Sequence, residues 1–485
     1  MKRSTENWIT GTLAVIFLIY VAVRAWLLPI THDEGATLLN HVPRLVFDTL
    51  TFQKEANPNN HILNTLAIKT LLGLFPAHQF VVRLPVLIGC GLYLWAGIAI
   101  SRRLSEQVWV RLFCLVMLLG NPFLAEFFGL ARGYGLAIGL MMMALYQALR
   151  FFEENTARLL RNAIIFAGLA VYANFTQVLF FAPFTLLVSG IAWRQNRSWA
   201  SFWSVARPAL YTFGVFILLL AIPLSRMSKD RELVNWNRLS SNFETVELLI
   251  HDSIRGKAYL GDNTVTILSW SALIGICIGV CMAIAQFRRH GWRMMSDPKV
   301  FLAIILAGTL ITNLVNVNVF HTAQLNARLS LLFYPLFALL VASEADWLWQ
   351  RWGRRSWVLM APLLALVLIN NIRCMNLTDC REWWYDRSTL EVLDKIKAIY
   401  IAEGRTEPYT FDCGWGFQNS FMVHIQEFPQ GYDQVVRFTG WHENRAPVPG
   451  PDFFYVIEQG EIKTLQENNY YIVCKVPIAY ILRKK

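Results

Sequence analysis

Residues 8–35 read WITGTLAVIFLIYVAVRAWLLPITHDEG. From Trp8 to Ile30 this is one apolar run, broken by a single charge at Arg24. It reaches the roughly 20 residues that a spanning helix needs. It is too long for the apolar part of a cleaved leader, and no small-residue cleavage site follows the basic start Met1-Lys2-Arg3. It is therefore read as a retained first span. The run passes straight into Thr31-His32-Asp33-Glu34-Gly35, so two adjacent acids stand where the chain leaves the membrane.

The rest of the chain has the same character. Of its 485 residues 55% are hydrophobic and only 16% charged, against about 25% charged in soluble proteins. Apolar runs recur near 80–100, 109–125, 135–151, 162–175, 178–193, 206–225, 264–287, 299–319, 329–346 and 356–371. With the first, they predict about eleven transmembrane helices. The net charge of +11 suggests a nucleic-acid partner until its positions are read. Arg102-Arg103, Arg150, Arg194, Arg197, Arg288-Arg289, Arg293 and Arg354-Arg355 cluster in or beside alternate loops. That is the positive-inside pattern, so the excess charge reads as topology and no nucleic acid is expected. The chain is expected in the cytoplasmic (inner) membrane, and eleven spans put its N-terminus on the inner side and its C-terminus outside.

Ile62 to Phe75 is apolar but short and carries Lys69, which favours an interfacial helix over a span. Residues 35–75 thus read as an outer loop with two surface helices. From about 373 the composition changes to balanced charge and many aromatics. Ser388 to Tyr400 predicts a capped helix, with Leu390, Leu393, Ile396 and Ile399 on one face. Strands are predicted at Pro408–Phe411, Asp452–Ile457 and Tyr470–Cys474. The expected fold is an all-α polytopic membrane protein with surface helices in its first outer loop and a small C-terminal α/β domain. The division falls at 1–372 and 373–485. Cys374, Cys380, Cys413 and Cys474 lie in the tail, where one or two disulfides are expected if it faces an oxidising compartment.

Charge placement separates function classes. Transporters hold ionisable groups near the midplane, whereas here only Arg24 lies well inside a span, near enough to its outer edge to snorkel. Polar residues gather instead where spans meet the outer face. Asp33 and Glu34 form the first group; one acid of such a pair can take a proton from an attacking hydroxyl while the other orients groups or holds a metal. Asn57-Pro58-Asn59-Asn60-His61 opens the first surface helix, and Asn60 and His61 there can face a polar substrate. Asn121-Pro122 through Glu126 to Ala131-Arg132-Gly133-Tyr134 forms a short outer turn, where Arg132 suits bidentate contact with a phosphate. His321 to Arg328 brings a second cation to the mouth of a late span. A divalent metal, if one is used, would sit on Asp33 and Glu126. Each group also has a plain reading as helix start, turn or ion pair.

Taken in order, these groups resemble the GT-C membrane glycosyltransferases. They are most similar to the branch of dolichyl-phosphate-mannose protein mannosyltransferases and bacterial aminoarabinose transferases. The matching stretches are Asp33-Glu34, Asn60-His61-Ile62-Leu63, Arg83-Leu84-Pro85, Ala131-Arg132-Gly133-Tyr134, and Arg328 before Tyr334-Pro335. They cover roughly residues 8–345. Two departures stand out: Ile62-Leu63 replaces Pro-Pro after His61, and the acid of the short turn, Glu126, precedes its arginine. The resemblance implies a polyprenyl-phosphate-linked sugar as donor, an acceptor on a glycan, lipid or protein, and inversion at the anomeric carbon. It implies Asp33 as general base, with Glu34, Asn60, His61, Tyr134 and His321 around donor or acceptor. Arg132 and Arg328 would meet the leaving phosphate, with Arg24, Arg83 and Glu126 nearby. Two rival readings are an O-antigen ligase or polymerase, using Arg231, Arg238, His251 and Arg255 of the loop 226–263, and a lipid-linked sugar flippase.

Overall fold

The structure, a computed structural model, describes residues 3–53, 59–227, 241–322, 324–325, 327–428, 430–442 and 447–485. The helical part opens with α1 (Arg3–Leu27), the short α2 (His32–Ala36), α3 (Val46–Thr51) and α4 (Ile62–Leu74). It continues with α5 (Gln79–Leu104), α6 (Val108–Leu119), α7 (Pro122–Phe127), α8 (Gly133–Glu154), α9 (Ala157–Ala173), α10 (Val178–Gln195) and α11 (Trp199–Met227). Then follow α12 (Asn242–Ser253), α13 (Thr264–His290), α14 (Pro298–Asn318), α15 (Phe333–Trp352) and α16 (Trp357–Cys374). Ten of the eleven expected spans each fall on one of these helices, while 109–125 is divided at Gly120-Asn121 between the short α6 and α7. Among the described residues, eight helical stretches are long and apolar enough to cross a membrane, and one of them, Phe333–Cys374, holds both α15 and α16. Helix α4 is shorter and packs on α5, α8 and α9.

Helix α8 is the centre of the bundle and is buried along nearly its whole length. Glycine lets α5 and α8 touch by their backbones. A Cβ on Gly139 would stand 2.1 Å from the carbonyl oxygen of Gly89, and one on Gly89 would stand 2.6 Å from Leu136 Cα. Small residues at such crossings permit the close packing that holds helices together in lipid. Helix α7 starts as its sequence dictates: Asn121 accepts a hydrogen bond from the Leu124 N–H at 2.9 Å, and Pro122 takes the first turn.

After α16 the chain does not leave the helical part at once. Residues 375–388 fold back across α1 and α7 before α17 (Thr389–Ala402) begins. A five-stranded sheet follows, in the order β2-β1-β3-β5-β4. Its strands are β1 (Tyr409–Gly414), β2 (Val436–His442), β3 (Phe453–Val456), β4 (Tyr470–Val476) and β5 (Ala479–Lys484). Strand β1 runs parallel to both β2 and β3, and β5 runs antiparallel to β3 and β4. Helix α17 covers one face through Val392, Leu393 and Ile396, and α19 (Gln459–Glu467) covers the other through Ile462 and Leu465. Between β1 and β2, α18 (Gln418–Met422) faces the helical part. The predicted helix and three strands are present; β2 and β5 are additional. All eight cysteines are free, so the expected tail disulfides do not form.

Candidate active site

Helix α2 carries the two acids, and its capping separates their roles. Thr31 and Glu34 form a capping box, with the Thr31 N–H donating to Glu34 Oε2 at 2.9 Å. Adjacent positions on a helix point about 100° apart. Glu34 therefore turns inward to α5 while Asp33 turns toward Arg132 and Arg328. Arg83 donates to both Glu34 oxygens at 2.9 and 2.7 Å. Its remaining donors go to the carbonyls of Ala25, Leu28 and Pro29 at 3.1, 2.7 and 2.8 Å. Glu34 also accepts from the Thr31 hydroxyl and the Ala131 N–H. Both side chains are fully buried. Every Arg83 donor is used inside the protein, so this pair closes the frayed end of α1 and has no donor left for a substrate. Glu34 and Arg83, expected at the substrate, are thus bonded to each other and to the backbone.

Asp33 has a different setting. Its Oδ2 lies 3.2 Å from Nη1 of Arg328 and 3.4 Å from Nη2 of Arg132, without the alignment of a hydrogen bond. Burial pushes its carboxyl up, but Arg132, Arg328, His32 and a hydrogen bond from Asn59 outweigh burial and hold it below the ordinary value. Asp33 is thus a carboxylate between two guanidinium groups. The two arginines are not equivalent. Arg132 is fully buried and donates to the Asp33 carbonyl at 3.1 Å, to Thr37 Oγ1 at 3.0 Å and to Asn59; it fixes the turn that carries Asp33. Arg328 lies in a 3₁₀ turn, Ala327–Ser330, with its guanidinium 5.0 Å over the Trp383 ring and Nη1 3.3 Å from Glu382. Among the described residues its contacts with Asp33 and Glu382 are ion pairs rather than hydrogen bonds, and its donors remain available.

His61 caps the start of α4, packs edge-on to Tyr134 with ring centroids 5.1 Å apart, and is buried. Neither ring nitrogen has a hydrogen-bond partner among the described residues. Burial, with Arg132 and Arg328 nearby, drives its pKa well below the ordinary value. Asn60 is occupied by Thr49 and Thr65, and acts as a brace for the loop. His321 lies in the turn after α14 with φ 53°, a left-handed conformation His adopts more readily than most residues. It is not among the groups that set the charge of Asp33. Asn57 and the loop arginines Arg231 and Arg238 lie outside the described residues.

Glu126 is not beside Asp33. Its oxygens accept from Arg255 at 2.8 Å and from the Arg381 N–H at 2.7 Å. Arg255 also reaches Asp379 at 2.5 Å. A metal on Asp33 and Glu126 does not fit: each carboxylate is occupied by arginine, and no group of three or more metal-ligating side chains occurs among the described residues. Arg24 does not snorkel. It is fully buried and donates to the carbonyls of Asn376 and Asp379, so it ties residues 375–388 to α1.

That returning segment supplies site residues that the sequence reading missed. Glu382 faces Arg328, its Oε2 is buried without a partner, and burial pushes its carboxyl up to about 7. Asp386 accepts from the His32 N–H at 2.7 Å, and burial pushes its carboxyl well above the ordinary value. The dense run Arg381-Glu382-Trp383-Trp384-Tyr385-Asp386, placed just past the last span, is the signal that could have found them. The C-terminal domain completes the wall. Asn419 lies 3.2 Å from His32 Nε2, Trp415 packs on the His32 ring, and the Ile30 N–H donates to His424 at 3.1 Å.

Buried polar atoms without partners mark where a ligand or water belongs. Among the described residues eight such atoms lie here: His32 Nδ1, Asp33 Oδ2, both His61 nitrogens, the Nε atoms of Arg132 and Arg328, Glu382 Oε2 and Asp386 Oδ1. A mostly apolar cavity of about 340 Å³ lies between α6, α12, α13, α15 and α16, lined by Met117, Leu268, Phe337 and Leu363, with Asn121 and Ser253 also on its wall.

The sequence matches no protein-family model and no curated protein. The fold does match solved structures. ArnT from Cupriavidus metallidurans in its apo state superposes with a TM-score of 0.54 at 11% identity, over 99% of this chain and 98% of that one. The same enzyme bound to undecaprenyl phosphate gives 0.53 at 10% identity, with the same coverage. From its first span to its last strand, this chain shares the fold of ArnT.

Proposed function

We propose that this chain is a membrane glycosyltransferase that moves a sugar from a polyprenyl-phosphate carrier to an acceptor hydroxyl on a glycan, lipid or protein. The reaction is placed at the outer face of the cytoplasmic membrane, with the N-terminus inside and the C-terminal domain outside. The observation that carries this reading is the Asp33 carboxylate, set between two arginines in a pocket of unsatisfied polar atoms. The GT-C fold, and the undecaprenyl phosphate bound by ArnT, support the donor class. The apolar cavity beside α7 suits a prenyl chain.

The acceptor hydroxyl attacks the anomeric carbon as its proton passes to Asp33. The bond from that carbon to the phosphate oxygen breaks on the opposite side, and the configuration inverts. Negative charge grows on the departing lipid phosphate, where Arg328 has donors to offer. Arg132 holds Asp33 in place, and His61 and Tyr134 wall the sugar. Residue by residue, these roles are proposals. The test is transfer from a labelled polyprenyl-phosphate sugar in vesicles, with mass spectrometry of lipids that co-purify. Asp33→Asn should lose at least 100-fold in rate with an unchanged melt. Full activity in that variant removes the base assignment. If Arg255→Ala stops transfer while Asp33→Ala does not, the ligase-type reading replaces it.

A further inference from the structure

At the end of the bundle away from Asp33, three arginines converge on one cavity. Arg194 lies in the last turn of α10, Arg197 follows in the turn before α11, and Arg293 lies in a 3₁₀ turn, Gly291–Ser296, between α13 and α14. With Gln195, Trp292 and Ser296 they line a cavity of about 230 Å³. Helix α10 begins just after Ala173, whose carbonyl abuts Gly133 beside His61. Its 18 residues then carry the chain about 27 Å away from that site.

Among the described residues no acid lines this cavity. None of the three arginines makes an ion pair or hydrogen bond with another described residue. Loops rich in arginine are ordinary on one side of a membrane protein. That rule does not explain why arginines from two separate loops share one walled space. All three side chains are exposed, so water and salt screen their repulsion, and an anion entering the cavity would meet three guanidinium groups at once. Two further observations fix the level and the chemistry. Trp193, Trp199, Trp203 and Trp292 are 47%, 65%, 40% and 55% exposed around it, as in the aromatic belt at headgroup depth. The Oε1 of Gln195 is buried without a partner, and so would accept from a hydroxyl.

We propose that this cavity binds the phosphate of an anionic phospholipid headgroup. Arg194, Arg197 and Arg293 meet the phosphate oxygens, as guanidinium forks do, and Gln195 Oε1 accepts from a headgroup hydroxyl. The site is independent of the chemistry at Asp33.

The test is native mass spectrometry of the full chain in micelles doped with phosphatidylglycerol or phosphatidylcholine. The protein should keep one phosphatidylglycerol at a doping where it keeps no phosphatidylcholine. Arg194→Gln/Arg197→Gln/Arg293→Gln should lose at least ten-fold of that adduct, and Arg197→Gln alone an intermediate amount. Arg354→Gln/Arg355→Gln, at the same end but outside the cavity, should keep it. Equal retention in the triple and single variants, or equal loss in the Arg354/Arg355 variant, overturns the site. Inorganic phosphate raising the melt as much as phosphatidylglycerol does would assign the cavity to free phosphate and overturn the lipid.

Discussion

Replacing Arg83 by leucine tests whether the second acid of the pair is framework or substrate-handling. The substitution removes two hydrogen bonds to Glu34 and three to the carbonyls of Ala25, Leu28 and Pro29. Breaking a fully buried ion pair by deleting one partner costs about 3–5 kcal/mol. Each carbonyl left dry adds about 1–3 kcal/mol, less whatever water or lipid rearrangement restores. Glu34 keeps its bonds from Thr31 and Ala131, and protonation limits its share. A net loss of at least about 3 kcal/mol is a large part of the 5–15 kcal/mol that holds ordinary domains together. Arg83→Leu should therefore melt clearly below the parent in detergent, whatever its activity. Glu34→Leu/Arg83→Leu should recover part of the loss, because an apolar pair leaves no orphaned charge. The double-mutant cycle reports the coupling directly. If Arg83→Leu melts with the parent, and only the KM for the lipid-linked sugar rises, the framework assignment fails.

Three other outcomes follow from the same geometry. Glu382 is pushed up to about 7, so it is protonated folded and unfolded alike below about pH 4.5; as pH rises to 7 the unfolded chain ionises first and the folded state loses on the order of 2 kcal/mol, allowing for partial exposure. Melts of Glu382→Gln should gain on the parent between pH 5 and 8, and a pH-independent difference would refute the assignment. His424 runs the other way: burial lowers it to about 4, so stability present above about pH 6.5 is lost as pH falls toward 4. Protease cleavage between the two parts should quicken over that window, and His424→Gln should flatten the response. At Gly35 a Cβ would stand 2.6 Å from the Asn419 carbonyl oxygen, so Gly35→Ala should cut transfer at least ten-fold by shifting α2, with a smaller change in melt than Arg83→Leu; unchanged transfer would separate the C-terminal domain from the placement of Asp33.

The spans, the surface helix α4 and the tail's helix were legible because each depends on local periodicity or length. Strand β2 was not: Gly440 interrupts it, and it gains its place by parallel pairing with β1, which leaves no local turn signal. Strand β5 ends in Arg483-Lys484 and reads as a polar terminus. Asp33, His61, Arg132 and Arg328, singled out from position along one face, lie together in the structure. The split between Asp33 and Glu34 was partly legible, since Thr31-x-x-Glu34 is a capping signature. Glu382 and Asp386 were not legible. Their meaning depends on the chain returning to α2 some 350 positions later, a contact that no local pattern encodes.

The two arginines at Asp33 pose a chemical question, because a carboxylate held below its ordinary pKa is a weak base. The difference in their bonding answers it within the proposed reaction. Arg132 is committed to the backbone and Asn59, so its pull on Asp33 is constant. Arg328 meets Asp33 and Glu382 only through ion-pair contacts, and is the group able to turn to another anion. When a lipid phosphate arrives, Arg328 gains a stronger partner, and Asp33 loses one of the two charges that depress it. Its proton affinity then rises as the leaving group is engaged. Glu382, already pushed up to about 7 by burial, loses the same cation and holds its proton more tightly, so it sets no second negative charge beside the phosphate. The consequence is measurable: Arg328→Lys should keep the charge yet lose the fork. Transfer should fall through kcat more than KM, and the acid limb of the pH–rate profile should move. An Arg328→Lys enzyme with an unshifted profile and only a raised KM would show that the arginine binds the donor without tuning the base.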